Sequence, residues 1–142
     1  MFLWAGVIFY FSTETFSSEN TAPFLSELIS RLFPAVTQDQ LEIAGWFLRK
    51  FGHWSEYFVL AVLLVRAFDT HDQRLWQVNR ALWTLGLVLV YAASDEIHQL
   101  FVPGRTAAAA DVLIDFLGGA CGVLWMRATT KRSKARQQYR RD

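Results

Sequence analysis

Four apolar blocks govern what this chain can fold into: residues 2–11, 53–68, 81–102 and 107–126, each interrupted by no more than three ionisable side chains. At ~1.5 Å per helical residue, the last three can cross a bilayer core or nearly so. The first would cover only ~16 Å, about half of that core. The sequence thus predicts either a start further upstream or a short helix that distorts the bilayer. No uncharged run reaches 18 residues, and the longest, 81–94, has 14. A soluble helical bundle is therefore the competing reading. The run LWTLGLVLVYAA (82–93) argues against it. It offers one polar side chain, Thr84, over about three turns, where a soluble surface helix would show a polar stripe.

The placement of charge gives the blocks an orientation. Residues 127–141 carry seven basic side chains and no acidic one. The segment between the second and third blocks carries Arg66, Arg74 and Arg80 against Asp69 and Asp72. Residues 12–52 carry Glu14, Glu19, Glu27, Asp39 and Glu42 against Arg31, Arg49 and Lys50. Basic segments inside and the acidic one outside fit four spans with both termini cytoplasmic. The expected fold is all-α: a membrane domain over 1–126, with spans at 1–12, 53–68, 81–102 and 107–126, then a basic cytoplasmic tail over 127–142. The opening MFLWAGVIFYF lacks a basic n-region and a small-residue cleavage site, so no cleaved signal peptide is expected. Cys121 cannot form an internal disulfide and reads as a small packing residue.

The long outer segment has its own signals. Thr21 and Pro23 predict a helix start, and Phe24, Leu25, Leu28, Ile29, Leu32 and Phe33 recur at helical spacing up to Pro34. Glu27 and Arg31 form an i, i+4 pair on another face. This is an amphipathic helix suited to an interface. Thr37 and Gln40 then form a capping box for a second start, and Gly52 precedes the second span.

Ionisable side chains within spans cost about 2.5–3.5 kcal/mol each at the centre and usually face one another or a cavity. His53, Glu56 and Tyr57 share a helix face, as do Tyr91, Asp95, His98 and Gln99, with Glu96 at the edge. Asp111 and Asp115 are i, i+4, and Gly118 and Gly122 continue their stripe, where a neighbouring helix can approach closely. The predicted topology brings these groups to the outer ends of three spans. Arg105, in Pro103-Gly104-Arg105, covers them.

Two His and several carboxylates suit a divalent metal or general acid–base chemistry. Arg105 beside a His suits an anionic headgroup. The candidate catalytic or ligand residues are His53, Glu56, Asp95, Glu96 and His98. Arg105, Tyr57, Gln99, Asp111 and Asp115 are the candidate binding residues. The expected partners are membrane lipids. A net charge of +1 and the absence of nucleotide and HExxH motifs give no ground for nucleic acid, nucleotide or zincin chemistry. The alternative is a non-enzymatic protein whose polar cluster only locks its helices.

Two stretches, RKFGHWSEYFVLAVLL (49–64) and SDEIHQLFVPGRTAAAADVLIDFLGGACG (94–122), resemble the VanZ-like family of bacterial membrane proteins. The elements are Lys50, His53 and Tyr57; Glu96 and Gln99; Pro103 to Arg105; and Asp111, Asp115 and Gly118. The family is named for a glycopeptide-resistance protein that raises teicoplanin tolerance, and most members have no settled activity. The resemblance implies a bacterial inner-membrane protein concerned with the envelope or its lipids, without implying antibiotic resistance here. The short first block is a departure from the family layout.

Overall fold

The computed structural model describes residues 1–68 and 76–139, and among them every regular element is helical. Five helices follow in order: α1 (Phe2–Phe11), α2 (Ser18–Leu32), α3 (Gln38–Ala67), α4 (Trp76–Gln99) and α5 (Ala109–Tyr139), with one 3-10 turn at Glu14–Phe16. The expected all-α class holds. By length and apolarity, one stretch among the described residues suffices to cross a membrane: Ala109–Thr130 in α5, with mean hydropathy 1.5. Helix α1 is apolar but has only ten residues. Asp69, Asp72, Arg74, Arg140 and Arg141, which enter the charge argument, lie outside the described residues.

Local chemistry sets most of the helix ends. Helix α2 starts earlier than Thr21 because Ser17 caps it, accepting from the Asn20 N–H, and Pro23 falls inside the helix. It ends at Phe33, whose φ of −132° and ψ of 79° leave the helical region, as expected of a residue before proline. The Glu27–Arg31 pair forms at 2.6 Å, well exposed. The Thr37–Gln40 capping box forms in both directions: Thr37 N–H donates to Gln40 Oε1, and Gln40 N–H donates to Thr37 Oγ1.

Gly52 does not separate two helices. The outer segment from Thr37 and the second apolar block fuse into one 30-residue helix, α3, about 45 Å long. The third block ends at Gln99 rather than residue 102, because Val102 to Arg105 makes a turn with Arg105 N–H donating to the Val102 carbonyl. Pro103 supplies the fixed φ, and Gly104 adopts the φ of 71° that such a turn needs. The basic segment from Arg127 continues α5 as helix as far as Tyr139.

The interior is unusually polar. Its apolar core joins Ile8 of α1, Tyr57, Leu60, Ala61 and Leu64 of α3, and Val88 and Ala92 of α4. Buried beside them are Ser12, Ser17, Thr84, Asp95, Glu96, Gln99, Asp111 and Asp115. The outside is the reverse. On α4 the inward stripe is Thr84, Val88, Ala92, Asp95 and Gln99, while Leu82, Trp83, Leu87, Leu89, Val90 and Ile97 are exposed. Cys121, expected to pack, is also on the exposed side of its helix.

Helices α3 and α5 cross at backbone contact. A Cβ added to Gly118 would lie 2.2 Å from the Trp54 carbonyl oxygen, and one on Gly122 would lie 2.6 Å from that of Phe58. Only glycine permits this approach. It determines how near Asp115, one turn before Gly118, comes to α3.

Candidate functional site

Three of the predicted residues meet. His53 of α3, Asp95 of α4 and Asp115 of α5 each offer a ligand atom, and these atoms lie within 4.8 Å of one another. His53 Nδ1 faces Asp115 Oδ1 at 3.3 Å. Asp115 is fully buried, and neither its oxygens nor His53 Nδ1 has a hydrogen-bond partner among the described residues. The His53–Asp115 contact thus has ion-pair distance without hydrogen-bond geometry. Asp95 is held by its own helix: Gln99, buried and one turn on, donates from Nε2 to Asp95 Oδ2 at 3.0 Å.

Tyr57 completes the α3 side of the cluster. It is fully buried, and its hydroxyl also lacks a hydrogen-bond partner among the described residues. Glu56 lies on the same helix face, partly buried, and its backbone carbonyl accepts from Trp4 Nε1 at 2.9 Å.

The other predicted residues have different neighbours. Asp111 pairs with Lys50, which is about one-fifth exposed. Glu96 Oε2 accepts from the Ala108 N–H at 2.7 Å, at the start of α5, where the helix dipole favours a carboxylate. Its Oε1 is buried without a partner among the described residues. His98 does not join the cluster. It faces α1, with Nδ1 3.3 Å from Ser12 Oγ and its ring centroid 4.6 Å from that of Phe9. Tyr91 also turns to α1, donating from its hydroxyl to the Ala5 carbonyl at 2.6 Å.

Arg105 ties the α4–α5 turn to the end of α1. Its guanidinium donates to the backbone carbonyls of Phe11 and Thr13. Burial pulls its pKa below the ordinary arginine value, against the opposing pull of Asp95 and Glu56. Lys50, an element of the family pattern, and Arg49 are not among the predicted site residues, yet Lys50 neutralises Asp111 and Arg49 lines the pocket beside the cluster. The i, i+3 spacing of Lys50 and His53 is the signal that marks Lys50 as a member of the same face.

That pocket has a volume of about 400 Å³. Its polar wall is Arg49, His53, Glu56, Asp95 and Arg105, and its apolar wall includes Ile8, Phe11, Phe16, Phe24 and Leu48. It lies where α1, α2 and α3 meet the turn before α5. Such a wall can hold an anion through two guanidinium groups, or move a proton through His53 and Glu56. The His53, Asp95 and Asp115 donors also fit a divalent ion, since one nitrogen and two carboxylate oxygens are a workable ligand set.

A family model described as VanZ/LLP1 matches residues 1–130. No curated protein and no solved structure matches the chain.

Proposed function

The chain belongs to the VanZ/LLP1 family, and on that premise we propose a multi-pass membrane protein of the bacterial inner membrane that binds or acts on an envelope lipid through its anionic headgroup. Helices α1, α3, α4 and α5 are the four spans, both termini are cytoplasmic, and the pocket faces the outer side. The polar interior and apolar exterior of α4 support the membrane setting. In water, such an exterior would be an aggregation surface. Glu56 of α3 is partly buried and Asp95 and Glu96 of α4 are buried, as ionisable groups within a span should be. The exposed Phe24, Leu28, Leu32 and Phe33 of α2 suit an interface on the outer side.

The carrying observation is the composition of the pocket. One wall offers Arg49 and Arg105, and the other offers aromatic and aliphatic side chains. An amphiphile has the same division into an anionic head and an apolar chain. The test is mass spectrometry of lipids that co-purify with the full chain in mild detergent. The expected result is an anionic lipid enriched over the bulk membrane, with the enrichment lost in Arg49→Gln. A bound-lipid profile equal to that of the bulk membrane overturns the reading. Carbonate extraction checks the setting, since release without detergent excludes an integral protein.

A structural lock is the second reading, favoured by the ties that Lys50–Asp111, Glu96–Ala108 and Arg105 make between elements. A lock gains most from groups that are satisfied. The unpartnered Asp115 oxygens and Tyr57 hydroxyl favour a ligand instead. If Arg49→Gln and Glu56→Gln both leave the lipid profile unchanged and only lower stability, the lock is the correct account.

A further inference from the structure

We infer that His53, Asp95 and Asp115 form a binding site for a divalent transition-metal ion of the zinc type, with an open coordination position toward the pocket.

The geometry of the pair comes first. A tetrahedral ion with bonds of ~2.0–2.2 Å holds neighbouring ligand atoms about 3.4 Å apart. His53 Nδ1 and Asp115 Oδ1 stand at 3.3 Å, close to one edge of that tetrahedron. Asp95 offers the third atom, within 4.8 Å of the other two. Gln99 already donates to this carboxylate, as the outer partner of a ligating carboxylate does.

The second observation is independent of spacing. Asp115 is fully buried, and both of its oxygens lack hydrogen-bond partners among the described residues. Tyr57, one turn from His53 on the same face of α3, is equally buried, and its hydroxyl also lacks a partner among the described residues. Buried carboxylates left this way are costly, because each has given up its water without gaining a partner. The neighbouring charges do not resolve this. Asp111 has Lys50, and Glu96 has the start of α5. Among the described residues, His53 is the one ion-pair partner of Asp115, and Asp95 and Glu56 have none. A bound dication would supply the missing positive charge and occupy the unpartnered oxygens.

The donor set selects the class of ion. One imidazole nitrogen with two carboxylate oxygens suits zinc or its first-row neighbours, whereas calcium and magnesium prefer oxygen alone. Three protein ligands leave a position for a further group. His53 and Asp95 line the pocket and Asp115 does not, so that position opens into the pocket. There it deepens the proposed lipid function and rests on it: the headgroup oxygen would complete the coordination.

The test uses the full chain in mild detergent, stripped with a chelator and reloaded with Zn²⁺ or Co²⁺. The expected result is one ion per chain by elemental analysis after desalting, with no uptake of Mg²⁺. Asp115→Asn and His53→Gln should weaken Zn²⁺ binding by more than the roughly 10–100-fold that an outer partner is worth. His98→Ala, which changes a His outside the cluster, should bind as wild type does. Wild-type uptake below a tenth of an equivalent overturns the inference, as does full binding by Asp115→Asn or equal loss in His98→Ala. If Asp115→Asn fails to fold, the spectrum of the wild type decides. Strong visible absorption of bound Co²⁺ reports the low-coordinate, imidazole-bound site, and weak six-coordinate absorption overturns it. Adding dioctanoyl phosphatidic acid to the Co²⁺-loaded protein separates the two readings. A spectral change supports headgroup coordination; no change with one Co²⁺ bound retains the metal site and removes the headgroup.

Discussion

Replacing Gly118 with alanine tests the packing that creates the site. The added methyl would lie 2.2 Å from the Trp54 carbonyl oxygen and 3.0 Å from its carbon. Both atoms are backbone within α3, so neither can rotate away. Ordinary contact requires about 3.2 Å or more, and the two helices must separate by roughly 1 Å along this line. Overpacking of this kind costs about 1–3 kcal/mol, and a clash with backbone belongs at the upper end. Helix propensity returns up to about 1 kcal/mol for the Gly-to-Ala change. The expected net loss is therefore about 2 kcal/mol, on the order of thirtyfold in the folding equilibrium. Gly122→Ala, at 2.6 Å from the Phe58 carbonyl, should fall close behind. Gly119→Ala meets the Val88 side chain rather than backbone, and should lose somewhat less, since β-branched Val88 can yield only a little. Gly86→Ala meets nothing within 4 Å and should be neutral or slightly stabilising. Thermal unfolding of the four variants in one detergent, followed by circular dichroism, gives the order. The reasoning fails if Gly118→Ala is as stable as wild type, or if Gly86→Ala is the worst of the series.

Other expectations concern groups away from the crossing. Lys50→Met leaves Asp111 charged and nearly buried, and should cost about 3 kcal/mol in the same assay. Adding Asp111→Leu should recover much of that loss, and a strictly additive double variant would refute the pairing. Thr84→Val removes a fully buried hydroxyl that has no partner among the described residues, and should stabilise by about 1 kcal/mol; a loss would show an unrecognised bond. Thr37→Ala breaks the capping box and should cost about 1 kcal/mol, seen as faster hydrogen exchange confined to the first turn of α3. Arg105→Ala should speed exchange around the end of α1, where the guanidinium holds the Phe11 and Thr13 carbonyls. Arg105→Lys should restore part of that protection, and equal exchange in all three proteins would refute the tie.

The sequence showed most clearly what a single helix can encode. The capping box at Thr37, the stop at Pro34, the Glu27–Arg31 pair and the Asp111–Asp115–Gly118–Gly122 stripe depend on spacing within one segment, and each is where the pattern puts it. What depends on two segments was harder to read. His98 and Gln99 stand about 100° apart on α4, both within reach of the face that Asp95 defines. Which of them turns to the cluster is settled by α1, which sits on the His98 side through Phe9 and Ser12. Hydropathy gives α1 a depth but no neighbour. Gly52 misleads for a related reason. Glycine costs a helix only about 1 kcal/mol, and the surrounding residues favour continuing it. The early start of α2 follows from a serine cap that the stronger-looking Thr21–Pro23 signal conceals.

The unbroken α3 has a mechanical consequence. It is a rod of about 45 Å pressed against α5 at Trp54 and Phe58, just past its midpoint. A stiff rod held at one crossing rocks about that point, and displacement grows with distance from it. Its end near Gln38, farthest from that crossing and outside the buried core, has the widest arc to sweep. His53 is next to the pivot and moves least. His53 therefore sits at the quietest point of the helix, and its spacing to Asp115 changes least when α3 tilts.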